Sequence, residues 1–281
     1  MNRRSTVDVL WPKSLDIGGE ASSQWAIQAA RRRIAEKSNI ERQPAGMTSS
    51  GPFPKLLPDS TSDTDAIARN DWNAYAEIDF LRDHWSVKQW APEHTGYYWY
   101  LTFDTPELIE LAAECQNALT QDELDSVPLD ALHLTIAGIG STTTVTDEQI
   151  DNLVSLARAR LADVKPFDLT IGPLSGSRSA VRFSVSPWDP LLDLHRILRA
   201  STSESIPSLS APTGSRGSRF RPHLGIAYNN TDRAAAELIE AVAALRNTGP
   251  AIVRVNHVEL VVLRRDGHSY RWNIRAVVPL G

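Results

Sequence analysis

Two histidines stand in matching apolar surroundings, one in Leu132-His133-Leu134-Thr135-Ile136-Ala137 and the other in Arg221-Pro222-His223-Leu224-Gly225-Ile226-Ala227-Tyr228. Both stretches predict a β-strand, along which side chains alternate between faces. His133 and Thr135 therefore share one face, with Leu134 and Ile136 turned to the core. His223 and Gly225 share a face in the same way, opposite Leu224 and Ile226. Two imidazoles that titrate near neutrality, set on opposite sides of one phosphorus, supply a general base and a general acid. One takes a proton from the attacking water or hydroxyl, and the other protonates the leaving oxygen. A hydroxyl two residues on, at Thr135, can hydrogen-bond a non-bridging phosphate oxygen as charge redistributes. This chemistry requires neither metal nor cofactor. A single His-x-Thr arises often by chance, so the pair, each inside its own strand–helix unit, carries the reading.

Other side chains are candidates to hold the substrate. Arg182, in the alternating strand from Ala180 to Val185, either reaches into the cleft to hold phosphate or lies at the surface. Tyr98 and Tyr100 share one face of their strand, while Tyr97, Trp99, Leu101 and Phe103 form a core face. The two tyrosines suit stacking of a base or a place beside the phosphate. Trp85 and Trp90 read as packing residues. His84, His94, His195, His257 and His268 show no shared spacing, and His195 reads as a surface residue.

The elements that must position these residues alternate between helix and strand. Strands are expected at Tyr97–Phe103, Ala131–Ile139, Phe167–Ile171, Ala180–Val185 and Phe220–Tyr228. Two long paired strands, Ile252–Leu263 and Tyr270–Val278, close around Arg265-Asp266-Gly267. Helices are expected from Pro106 to about Leu119, from Thr146 to Val164, from Pro190 to Ala200 and from Asp232 to Leu245. Residues 1–70 read as an appendage: an apolar piece at Val7–Trp11, a helix over Ser22–Lys37 containing Arg31, Arg32 and Arg33, and a Pro-, Ser- and Thr-rich linker from Pro44 to Asp65. The catalytic part then spans 71–281. Ser201–Ser218 is a second loose stretch, either a lid over substrate or a plain connector.

Composition narrows the class. The 281 residues are 42% hydrophobic and 22% charged, ordinary for a soluble globular chain, and the net charge of -5 provides no broad basic surface for duplex DNA or a membrane. A nucleotide or an RNA 3' end remains a suitable ligand, because one phosphate needs only a local positive site. Cys115 is the single cysteine, so no internal disulfide or cysteine-rich metal site forms, and its apolar helical neighbours suggest a buried thiol. No apolar run reaches the length of a membrane span, and a cytoplasmic protein is expected.

The chain resembles the 2H phosphoesterase superfamily, and more closely the actinobacterial 2'-5' RNA ligase family proteins. Leu132-His133-Leu134-Thr135 and Phe220-Arg221-Pro222-His223-Leu224 carry the resemblance, with support from Asp83-His84-Trp85, Gly96–Phe103, Phe167–Pro173 and Tyr270-Arg271-Trp272. It covers roughly residues 78 to 281. The resemblance implies an α+β fold of two pseudo-symmetric lobes, each an antiparallel sheet with outer helices, around a central cleft. It also implies hydrolysis of 2',3'-cyclic phosphate or 2'-5' linkages in nucleotides or RNA ends, without metal. One departure stands out: Gly225 occupies the second motif's hydroxyl position. Losing one hydrogen bond to a charged oxygen costs about 1.5–3 kcal/mol. A backbone N–H or a water could replace it; otherwise the protein is a nucleotide or RNA-end binding module with a degenerate second motif.

Overall fold

The computed structural model describes residues 56–88, 90–91, 93–209 and 220–281. The expectations for Val7–Trp11, the helix over Ser22–Lys37, most of the 44–65 linker and the end of the Ser201–Ser218 stretch lie outside the described residues. The described residues belong to one compact unit, Ser50–Gly281.

Along the chain the elements are α1 (Thr64–Ala76), β1 (Phe80–Leu81), α2 (His84–Lys88), β2 (Thr95–Thr102), α3 (Pro106–Ala118), β3 (Leu124–Ser126), β4 (His133–Ser141), α4 (Asp147–Leu161), β5 (Phe167–Ser177) and β6 (Ala180–Ser186). There follow α5 (Asp189–Ser205), β7 (His223–Asn229), β8 (Arg233–Ala234), α6 (Ala236–Ala244), β9 (Ala251–Val255), β10 (His257–Asp266) and β11 (Ser269–Pro279). Local chemistry explains several boundaries. Thr146 caps α4 in a reciprocal capping box with Gln149, which satisfies two orphan backbone donors. Pro106 opens α3, where its missing N–H costs nothing. Gly267, at φ 56°, makes the β10–β11 turn.

Every strand pairing is antiparallel. One sheet has the order β11-β10-β2-β4 and the other β3-β7-β6-β5-β9, with β1-β8 as a separate short pair. The fold is thus α+β with two main antiparallel sheets, one carrying His133 and the other His223. The strands β4 and β7 come into contact with each other. A core shared by both sheets runs through Trp99, Leu134, Phe183, Leu224 and Leu260, all fully buried or nearly so.

Several elements differ from expectation; the helix expected from Asp232 begins at Ala236, behind the short strand β8, and β5 runs on to Ser177. The strand expected over Ile252–Leu263 is two: β9 pairs with β5, the chain changes sheet at Asn256, and β10 pairs with β2 and β11. The crossing coincides with a slip in hydrophobic phase, from Val253 and Val255 to Val258 and Leu260 across the polar pair Asn256-His257. Helix α5 extends to Ser205, into the stretch expected to be loose from Ser201. Ser201 and Thr202 are buried there because their hydroxyls donate to the carbonyls of Ile197 and Leu198, at 2.9 and 2.8 Å. Finally, α1 begins at Thr64, ahead of the expected boundary at 71, and buries Ile67 completely. Asp63 caps it by accepting from the Ala66 N–H at 2.7 Å.

Candidate functional site

His133 opens β4 and His223 opens β7, and the two strands repeat one pattern. In both, the histidine and the residue two places on are half-buried, while the positions between and beyond them are buried. Both imidazoles are anchored alike. His133 Nδ1 lies 2.9 Å from the Ala131 carbonyl, and His223 Nδ1 lies 2.8 Å from the Arg221 carbonyl. A carbonyl only accepts, so Nδ1 carries the proton in each ring, and Nε2 is the nitrogen that exchanges protons.

Burial lowers both imidazoles to a pKa of about 4, against the bond from each carbonyl, which favours the charged form. For His223 the Arg182 charge adds to the effect of burial. Titration near neutrality, expected from the residue type, is therefore not what the surroundings produce. Both rings rest neutral at pH 7, and an incoming anion would raise whichever imidazole it approaches.

The first half-site is aromatic. Tyr100 stacks on His133 with centroids 4.4 Å apart and planes at 12°, and Trp272 meets the same ring edge-on at 5.1 Å. Tyr100 pairs directly with Thr135 across β2 and β4. Burial raises the Tyr100 phenol well above its ordinary value, opposed by the Thr135 hydroxyl, so it stays a donor at neutral pH. Tyr98 and Tyr100 do share one face, packed with Val261 and Leu263, while Tyr97, Trp99 and Leu101 enter the main core.

In the second half-site, Arg182 is buried and not at the surface. It is 1% exposed, and its guanidinium donates to Asp71 of α1 at 3.0 Å and to the Gly176 carbonyl at 3.2 Å. Ser184 donates to the other Asp71 oxygen at 2.8 Å. Arg182 and Ser184 pair with Gly225 and His223 on the adjoining strand, so they do lie on the site face. Helix α1 covers them there. Arg182 reaches His223 through its charge. Arg221 is likewise buried, donating to Asn70 at 2.9 Å and to the Leu56 carbonyl.

Gly225 leaves room that Tyr228 faces. A Cβ at Gly225 would lie 3.8 Å from both Cε1 and the hydroxyl oxygen of Tyr228. Strict alternation puts Tyr228 on the face opposite Gly225. The β6–β7 register slips between Val181 and Arg182, leaving Ile226 without a cross-strand partner, and this bulge returns Tyr228 to the face of His223 and Gly225. Burial raises the Tyr228 phenol, so it too remains protonated.

Sequence spacing also missed His84, Lys88 and Tyr270. His84 is buried, 4.2 Å from the Tyr228 ring, with Nε2 3.0 Å from the Tyr270 hydroxyl and Nδ1 3.2 Å from Ser179. Burial lowers it to a pKa of about 3. Lys88, solvent-accessible on the same short helix, has its pKa lowered by desolvation and acts on both His84 and His223. No periodicity marks these residues, because the fold gathers them from separate elements. His195, by contrast, is half-buried and stacks on Phe220, three residues before His223, with centroids 4.5 Å apart.

Among the described residues, no group of three or more His, Cys, Asp or Glu side chains is arranged to hold a metal. No described helix is long and apolar enough to cross a membrane. Cys115 is buried and free, with burial pushing its thiol up.

A model of the 2'-5' RNA ligase superfamily matches residues 93–267. No curated protein matches the chain. Among solved structures, TT0787 of Thermus thermophilus is similar at 16% identity, over 66% of this chain and 97% of its own, with a TM-score of 0.50. E. coli LigT in its apo form is 20% identical over 67% of this chain and 98% of its own, also at 0.50. LigT complexed with 3'-AMP gives 20% identity, 67% and 99% coverage, and 0.50. At these identities the likeness is one of fold.

Proposed function

Since the chain belongs to the 2'-5' RNA ligase superfamily, within the two-histidine phosphoesterases, we propose that it is a metal-independent phosphodiesterase acting on 2',3'-cyclic phosphate or 2'-5' linked nucleotides and RNA ends. The observation that carries the reading is the matched pair of imidazoles: each opens its strand, and each is locked through Nδ1 to the carbonyl two residues back. That lock leaves Nε2 of one ring to take the proton of the attacking water. Nε2 of the other ring protonates the departing oxygen. With both rings neutral at pH 7, the acid is made when a phosphodiester anion binds and favours one imidazolium. Thr135 and Tyr228 donate their hydroxyls to the non-bridging oxygens from the two sides, and Tyr228 fills the place that Gly225 leaves open. Lys88 supplies the local positive charge. A nucleotide ligand is supported by LigT, which has been crystallised with 3'-AMP on a similar fold.

Phosphorus NMR of nucleoside 2',3'-cyclic phosphates incubated with the full chain in EDTA tests this. Conversion to a single monoester is expected, slowed about 100- to 10,000-fold by His133→Ala and by His223→Ala. Nucleotide binding without conversion of mononucleotides or 2'-5' linked dinucleotides would instead make this a binding module.

A further inference from the structure

The sheet face that carries His133 continues beyond the two motifs. Glu259 pairs with Tyr100 across β10 and β2, and Tyr100 pairs with Thr135 across β2 and β4. Directly paired residues project to the same face, so Glu259, Tyr100 and Thr135 form one row. At the Glu259 end of this row lies a groove of about 300 Å³, lined among others by Thr102, Asp130, His257, Glu259, Trp272 and Ile274. Trp272 is the wall it shares with His133.

The Glu259 carboxylate is unusual in its setting. Its side chain is only 8% exposed, Oε1 is 3.7 Å from His257 Nε2, and Oε2 has no hydrogen-bond partner among the described residues. A buried acceptor left without a donor is costly, and a ligand that supplies the donor recovers that cost. Asp104 and Asp130 also line the groove, so a second phosphate is disfavoured there by charge. The group that belongs in it is flat, neutral and rich in donors. Guanine places N1–H and the N2 amine side by side, matching a carboxylate. Adenine and cytosine set an acceptor ring nitrogen beside their amine, and uracil flanks its N–H with two carbonyls. These bases would each turn an acceptor toward Glu259.

Resting on the phosphodiesterase reading, we propose that this groove is a nucleobase subsite that selects guanine, with Glu259 accepting from its Watson–Crick edge and Trp272 flanking the ring. Titration calorimetry on the full chain with guanosine, inosine and adenosine 3'-monophosphates, and with inorganic phosphate, tests it. Guanosine is expected to bind about ten- to a hundredfold tighter than adenosine, with inosine between because it keeps N1–H and lacks the amine. Glu259→Gln should remove the preference and leave phosphate affinity unchanged. Equal affinity for the three nucleotides on the unaltered protein overturns the subsite while the phosphodiesterase reading stands. A guanine preference that survives Glu259→Gln overturns the assignment to this groove. Absence of binding by every nucleotide and by phosphate overturns both.

Discussion

The two histidine strands are alike in backbone and opposite in where they carry a hydroxyl. From His133 and from His223 the burial pattern runs in parallel for five residues, and each strand has a register slip three residues on, at Ile136 and at Ile226. Counting from the histidine, the third position of β4 is Thr135 and the sixth is Gly138; a Cβ at Gly138 would sit 3.1 Å from the Tyr98 ring. In β7 the third position is Gly225 and the sixth is Tyr228, which faces back toward the glycine. A hydroxyl and a glycine have exchanged places between two copies of one scaffold. The neighbouring strands differ as well. Tyr100 beside Thr135 packs within an aromatic wall, whereas Arg182 beside Gly225 is tied to Asp71 under α1. A pseudo-symmetric backbone thus carries different side-chain solutions while each imidazole keeps its carbonyl.

The comparison can be tested from either side. The largest effect is expected from Asp71→Ala, which touches only the second half. It strips a fully buried Arg182 of its counter-charge and should cost about 3–5 kcal/mol of stability in urea melts. A loss below about 1 kcal/mol, the scale of an exposed pair, would remove α1 from the support of that half-site. Next comes Tyr228→Phe, which should lower kcat/KM about ten- to a hundredfold, the worth of one hydrogen bond to a charged oxygen. Thr135→Val should lose a similar factor in the first half. Adding Gly225→Ser to Tyr228→Phe should recover most of the deficit, since 3.8 Å separates the new Cβ from its nearest neighbour and the φ of Gly225 is not positive. No recovery would break the exchange argument. The smallest effect is spectroscopic: in the free protein both imidazoles should titrate near pH 4 by NMR. Phosphate binding should move at least one of them upward. Titration of either at its ordinary value of 6.5 would separate the two halves electrostatically.

The same shifts set an acid limit on folding. His133 and His223 at about 4, and His84 at about 3, all lie below the ordinary value of 6.5. Between roughly pH 6.5 and 4 the unfolded chain binds protons that the native one does not, so stability falls as pH falls through that window. Above it, these groups contribute no slope.

Much of this was legible in the residues. Alternation placed Leu134 and Leu224 in the core and put Tyr98 and Tyr100 on one face, and the capping signature at Thr146 marked a helix start. What it missed has definite causes. Tyr228 was hidden because one bulged residue reverses a period of two. Arg182 looked like a lone cation because its partner, Asp71, lies 111 positions away on a helix that begins in a region composition had assigned to an appendage. The change of sheet at Asn256 leaves only a slip of phase across Asn256-His257, from Val253 and Val255 to Val258 and Leu260, which one long strand had been read across. His84 and Lys88 act from a short helix whose meaning exists only once β7 packs beside it. Local periodicity reports faces within an element, and these features depend on how elements meet.

The most direct test of the central claim, that His133 and His223 act together on one phosphorus, is the turnover of a 2',3'-cyclic nucleotide in EDTA by His133→Ala, His223→Ala and the double variant. The account predicts that each single substitution removes nearly all activity and that the double is hardly worse, as for groups that work as a unit. Losses that multiply across the two sites, or one histidine whose removal leaves turnover intact, would contradict it.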